Sequence, residues 1–139
     1  MIDDKSVYKQ LVYPVIGACQ EVHRELGAFL NEYMYQDALA IELGMQHIPF
    51  QKEYKFEASY KGQPITHVHY ADFLVKSGTS DIILECKAVE HLTDEHRQQL
   101  WNYMRLTGIG VGVLYNFAPA YAQCEKYYYD AAASRMIAF

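Results

Sequence analysis

The segment Asp81-Ile82-Ile83-Leu84-Glu85-Cys86-Lys87-Ala88-Val89 constrains this chain more than any other. Its apolar run suits a strand buried on both faces of a sheet. Side chains alternate across a strand, so Ile83, Glu85, Lys87 and Val89 share one face. Removing an ion from water costs roughly several kcal/mol even after relaxation. An acid and a base two residues apart in such a strand therefore need a partner, a metal or a chemical task. For E-x-K taken alone, a buried ion pair is the plain alternative.

Asp72 shifts the balance. It sits within Tyr70-Ala71-Asp72-Phe73-Leu74-Val75, again a carboxylate among apolar neighbours. A hairpin centred on Lys76 to Ser80 sets Asp72 against Glu85, or within about one residue of it. Two carboxylates meeting alone repel, and a divalent cation between them removes the conflict. Oxygen donors without Cys or His favour Mg²⁺ or Mn²⁺ over Zn²⁺. Lys87 on the same face could then orient or activate a water, or neutralise charge on a phosphorane-like transition state. The arrangement suits metal-assisted phosphodiester hydrolysis.

The rest of the chain supplies a scaffold. Val7, Leu11, Val15, Cys19, Val22 and Leu26 recur at helical spacing, with Pro14 either kinking that helix or marking its first turn. Asn31 is a candidate N-cap for a second helix, striped by Tyr35, Leu39 and Leu43 up to Gly44. Strands follow at 50–60, 67–75 and 81–89. Thr93 caps a third helix, with Asp94 and Glu95 in its first turn suiting the helix dipole, that runs to about Thr107, and 109–117 is a fourth strand. The order predicts a mixed α/β fold with a central sheet, as one domain over residues 1–139. Seventeen acids against twelve Lys and Arg leave a charge of −5, which excludes a basic coat protein or a mainly electrostatic nucleic-acid binder, but not a small site acting on nucleic acid. Three cysteines without metal-site spacing, a polar start and the lack of a long apolar stretch point to a reduced, cytoplasmic setting away from membranes.

These residues have a family likeness. Asp72 followed by Glu85-Cys86-Lys87 resembles the D…(D/E)-x-K signature of the PD-(D/E)XK nuclease superfamily. Gln99-Leu100-Trp101-Asn102-Tyr103 on the third helix is similar to the Q-x-x-x-Y element of its exonuclease branch. Glu21-Val22-His23, Leu26-Gly27, Glu32-Tyr33-Met34-Tyr35 and the stretch from His96 to Tyr103 together resemble the GxxExxY family. The likeness spans Pro14 to Phe117. Phe29 stands where that family's first glycine is expected, and Ala71 where the PD element has proline. The resemblance implies a restriction-endonuclease-like core, a central mixed β-sheet flanked by helices, and a nuclease acting on DNA, or RNA, with Mg²⁺ or Mn²⁺. It assigns metal binding to Asp72 and Glu85, with the backbone carbonyl of Cys86 and, through water, Glu32. Lys87 would manage the attacking water, while Gln99 and Tyr103 position substrate or Lys87. Glu32 and Tyr35 at i, i+3 share a face, as do Gln99 and Tyr103 at i, i+4. The rival reading is a non-catalytic binding or regulatory module that keeps the fold.

Other signals carry less. His67 and His69 share a strand face, taken as the one opposite Asp72, and lack further zinc ligands. His23 and His96 read as packed or hydrogen-bonded histidines. Gly108-x-Gly110-x-Gly112 follows a helix and enters a strand, the wrong order for a phosphate cradle. Cys86 should face away from Glu85 and Lys87, as core. Tyr127-Tyr128-Tyr129 suits an edge strand or an oligomer contact, such as a homodimer, better than a base-stacking surface.

Overall fold

The structure is a computed structural model and describes residues 4–139. Its elements are α1 (Asp4–Leu26), α2 (Glu32–Met45), β1 (Phe50–Tyr60), β2 (Gln63–Ser77), β3 (Ser80–Lys87), α3 (Asp94–Thr107), β4 (Val111–Asn116), β5 (Gln123–Asp130) and β6 (Arg135–Ala138). The six strands form one mixed sheet in sequence order. Only β3 and β4 run parallel, and α3 is the crossover that a parallel pair demands. This is the α/β architecture expected, a mixed sheet flanked by helices.

Two layers of helix explain the apolar strands. Val15 and Cys19 of α1, with Leu39 and Leu43 of α2, pack on Phe73, Ile82, Leu84 and Val113. On the other face Leu100 and Met104 of α3 pack on Ile83 and Leu114. Strands β3 and β4 are thus covered on both sides, which is why their sequences are nearly continuous in apolar residues. Close approach of α3 depends on Gly112, where a Cβ would stand 2.5 Å from the Met104 sulfur and 2.9 Å from Leu100 Cδ1. Gly108 ends α3 in the left-handed conformation (φ 73°). Packing and capping, not phosphate binding, account for those two glycines.

Several local expectations are refined. Pro14 lies well inside α1 rather than at its first turn. Thr93 caps α3 as expected, accepting from the His96 N–H while its own N–H donates to His96 Nδ1 (3.1 Å), so His96 is a capping residue. Asn31 has the extended backbone of an N-cap but makes no side-chain cap bond. The tyrosine run is not an edge strand, because β6 pairs outside β5. Tyr127 is buried against Trp101, and Tyr128 stacks on Tyr8 with centroids 4.3 Å apart. Among the described residues all three cysteines are free, and no helix is long and apolar enough to cross a membrane.

One irregularity positions the site. The β1–β2 register runs from Phe50↔Val75 through Tyr54↔Ala71 to Phe56↔His69 without a slip. Yet Phe50, Phe73 and Val75 join the core under α1 and α2, whereas Tyr54, Phe56 and Ala71 join the one under α3. Residues an even number apart should share a face. The alternation breaks at Glu53, which has φ 55°, opposite Asp72. His69 consequently lies on the α3 side, its ring 5.4 Å from Phe56 and 6.2 Å from Tyr103, which corrects its assignment to a remote face.

Candidate active site

Pairing between β2 and β3 runs from Ser77↔Ser80 to Phe73↔Leu84 and stops there. The next pair would be Asp72 and Glu85. Instead of ladder bonds, side chains bridge the gap: the Asp72 N–H donates to Glu85 Oε1 (3.3 Å) and the Cys86 N–H to Asp72 Oδ2 (2.8 Å). The two carboxylates therefore occupy a fork between strands, and both backbone donors that the fork would orphan are satisfied. The hairpin reading of the sequence placed these residues together, and the structure brings them together.

Glu85 is 2% exposed. Burial holds its carboxyl well above the usual carboxylate range, and the charge and direct side-chain contact of Asp72 push it further, against the opposing pull of Lys87. A buried carboxyl pushed up by a neighbouring carboxylate is an arrangement whose repulsion a cation would relieve. Glu32, at the first turn of α2, is half-buried, and its carboxyl is raised mainly by that burial, with Lys87 opposing and Asp72 adding. It thus senses the same two charges from the opposite helical layer.

Lys87 is not closed into an ion pair with Glu85. Its Nζ donates to Gln99 Oε1 (3.1 Å), and Gln99 Nε2 donates to the Tyr103 hydroxyl (3.1 Å). The i, i+4 pair on α3 thus forms a relay that holds the ammonium above β3. Burial raises the Tyr103 phenol, with Glu85 and Asp72 adding to it. Outside the relay an open groove of about 850 Å³ runs past His69, His96, Gln99, Asn102 and Arg105.

The Cys86 thiol is fully buried under α1 and α2, and burial pushes it well up, so it is core as expected. Tyr35 does not reach the carboxylates. Its hydroxyl donates to the Gly27 carbonyl (2.6 Å) and accepts from the Leu30 N–H (3.1 Å), bracing the loop before Glu32. His23 Nε2 donates to the Pro119 carbonyl (2.9 Å). Asn116 was not singled out from sequence. Fully buried, it accepts from the Val89 N–H (3.0 Å) and donates to the Val89 carbonyl (2.8 Å), fixing the segment that leaves Lys87. Its signal was the one that exposed Glu85: a polar residue inside an apolar strand.

The donor chemistry fits a hard divalent cation. Asp72 and Glu85 offer only oxygen, and their mutual repulsion is what such an ion relieves. Among the described residues no three His, Cys, Asp or Glu side chains form a ready-made cage. Water, backbone carbonyl and substrate oxygen would complete the shell, as is usual for Mg²⁺.

Comparison with known proteins gives three results. A family model for the PD-(D/E)XK nuclease superfamily matches residues 9–127, which contain every residue of the site. No curated protein matches the chain. Among solved structures, the crystal structure of SSO0001 is similar with a TM-score of 0.55 and 18% identity, over 68% of this chain and 48% of that one. The chain spans about half the length of that protein, and at this identity the likeness concerns the fold alone.

Proposed function

Because the chain belongs to the PD-(D/E)XK nuclease superfamily, we propose that it is a metal-dependent nuclease of the GxxExxY type that hydrolyses phosphodiester bonds of DNA, or of RNA. One observation carries the reading: the Asp72–Glu85 couple at the strand fork, with Lys87 held over it by Gln99. Asp72 and Glu85 would hold Mg²⁺ or Mn²⁺ with the Cys86 backbone carbonyl, and Glu32 would contribute through water. Bound there, the ion supplies Lewis-acid charge and a more acidic water. The Lys87 ammonium orients the attacking water and meets negative charge developing on the phosphoryl oxygens. Gln99, itself anchored by Tyr103, keeps that ammonium from collapsing onto Glu85. The water oxygen forms the new bond to phosphorus as the bond to the leaving sugar oxygen breaks.

Lys87→Ala tests this reading on linear, nicked and single-stranded DNA and on RNA, with Mg²⁺ or Mn²⁺ and with EDTA. The wild type is expected to cleave at least one substrate and to stop in EDTA. The variant should lose about 100-fold or more in rate. It should melt within about 1 kcal/mol of wild type, because Lys87 gives up one hydrogen bond to a neutral amide. A loss of roughly 3–5 kcal/mol would instead mark Lys87 as the structural partner of a buried acid. Such a loss, together with an inert wild type, points to the non-catalytic module.

A further inference from the structure

The loop between α1 and α2 carries a residue that the proposed chemistry does not use. Phe29 has φ 66°, in the left-handed region that residues with a bulky side chain avoid. Packing offers no compensation, since the residue is 82% exposed. Its backbone is nevertheless held from several sides. Gly27 N–H donates to the His23 carbonyl (2.8 Å) and Phe29 N–H to the Ala118 carbonyl (3.0 Å). The Tyr35 hydroxyl joins Gly27 and Leu30 from below. The segment onto which Phe29 docks is tied in turn by His23 to Pro119. An unfavourable backbone conformation, over-determined by its surroundings and presenting a ring to solvent, is what a binding platform requires.

Phe29 rims an open depression of about 650 Å³ shared with Leu30, Ala88, Val89, Ala118 and Pro119. It abuts the acidic site along the chain, for Ala88 follows Lys87 directly and Leu30 stands just before Asn31-Glu32. Glu90 and His91 complete the rim, but the aliphatic part of the wall suits a flat apolar body, and the Glu90 carboxylate disfavours a phosphate there. Two more exposed aromatic residues lie nearby in the chain: Tyr33 in the first turn of α2 and Tyr121 on the segment between β4 and β5. A chain of net charge −5 cannot rely on phosphate contacts alone. Stacking on aromatic rings needs no positive charge and tolerates any base.

We propose that Phe29 is a stacking platform for an unpaired base of a single-stranded nucleic acid whose backbone enters the Asp72–Glu85 site. The base must be unpaired because a duplex keeps its bases stacked on one another, so the substrate class is a single strand or an unpaired end. What lies at Asp72 and Glu85 rests on the nuclease reading, but stacking can be measured without cleavage. Phe29→Gly removes the ring and relaxes the left-handed backbone, so the fold is kept; Phe29→Trp keeps a stacking face. Fluorescence anisotropy in EDTA would follow a labelled oligonucleotide, alone and annealed to its complement, at several salt concentrations. The single strand should bind wild type more tightly than the duplex. Phe29→Gly should weaken single-strand binding by about 5- to 100-fold without lowering the melting temperature, and Phe29→Trp should retain it. Equal binding by wild type and Phe29→Gly overturns the proposal, as does equal affinity for single strand and duplex, or a change of oligomeric state in Phe29→Gly with no change in binding. Phe29-dependent binding by a protein that cleaves nothing under any divalent metal would keep the platform and end the nuclease reading. Cleavage with Phe29-independent binding would do the reverse.

Discussion

Glu85 shows how one residue can be destabilising and still retained. Its folded pKa is raised by burial first and by Asp72 second. Between the ordinary carboxylate value and that raised value, the native state holds a proton that the unfolded chain has lost. Stability therefore falls as pH rises through that window. Glu85→Gln keeps an oxygen for the Asp72 N–H and cannot ionise. In EDTA at neutral pH it should unfold later than wild type by roughly 1–3 kcal/mol, the usual penalty for a poorly satisfied buried polar group. The gain should vanish at acid pH, where Glu85 is protonated in folded and unfolded wild type alike and is as neutral as the amide. Thermal denaturation across a pH series checks this, and a gain independent of pH would show that charge is not the cause. Residue-level anomalies were the legible part of the sequence: Asp72, Glu85 and Lys87 stood out because ions seldom lie in apolar strands. The position of His69 was illegible because the break in alternation occurs at Glu53, and no glycine announces the left-handed backbone there.

At the scale of elements, the site depends on α3 staying where it is. Arg97 clamps that helix to β5, its Nε and a terminal guanidinium nitrogen donating to the two Glu125 oxygens (2.7 and 2.8 Å). Hydrogen bonding from Arg97, aided by the Tyr127 hydroxyl, holds the Glu125 carboxyl below its usual value. A depressed carboxylate contributes stability above its unfolded pKa and loses it as pH falls through the folded one. Glu125→Gln should thus cost about 1 kcal/mol at neutral pH, a figure discounted because the pair is a quarter exposed. It should also flatten the loss of stability below the ordinary carboxylate range, as urea denaturation at acid and neutral pH would reveal. An unchanged acid limb would remove Glu125 from the account. Most helices and strands were readable because period and caps agree, as at Thr93, whereas the cap at Gly108 became visible only in its left-handed backbone. The tyrosine run was misread as an edge because its alternation describes a half-buried strand equally well, and only the pairing of β6 decides between them. Gly112 was unreadable for a related reason, since its role depends on which helix lies across it.

For the whole molecule, strand order follows sequence order with a single crossover, so the architecture was largely implied by element order. The family likeness had already drawn Glu32, Gln99 and Tyr103 to one site; what sequence could not supply was that they come from opposite helical layers, Glu32 from one side, Gln99 and Tyr103 from the other. That convergence sets the site's charge. In a chain of net charge −5, the cation would provide the local attraction for a polyanion that the surface does not. Binding to the native state alone would also stabilise it, by about 2.7 kcal/mol when the ion is at 100 times its Kd. The central claim, that Asp72 and Glu85 together hold this cation, is most directly tested by calorimetric titration of Mn²⁺ into the wild type and Asp72→Asn. Asn keeps an oxygen for the Cys86 N–H, so the fork should survive while a charged ligand is lost. The expected result is saturable binding to the wild type, weakened by about 10- to 100-fold or more in the variant. Equal Mn²⁺ affinity in the two proteins would contradict the assignment.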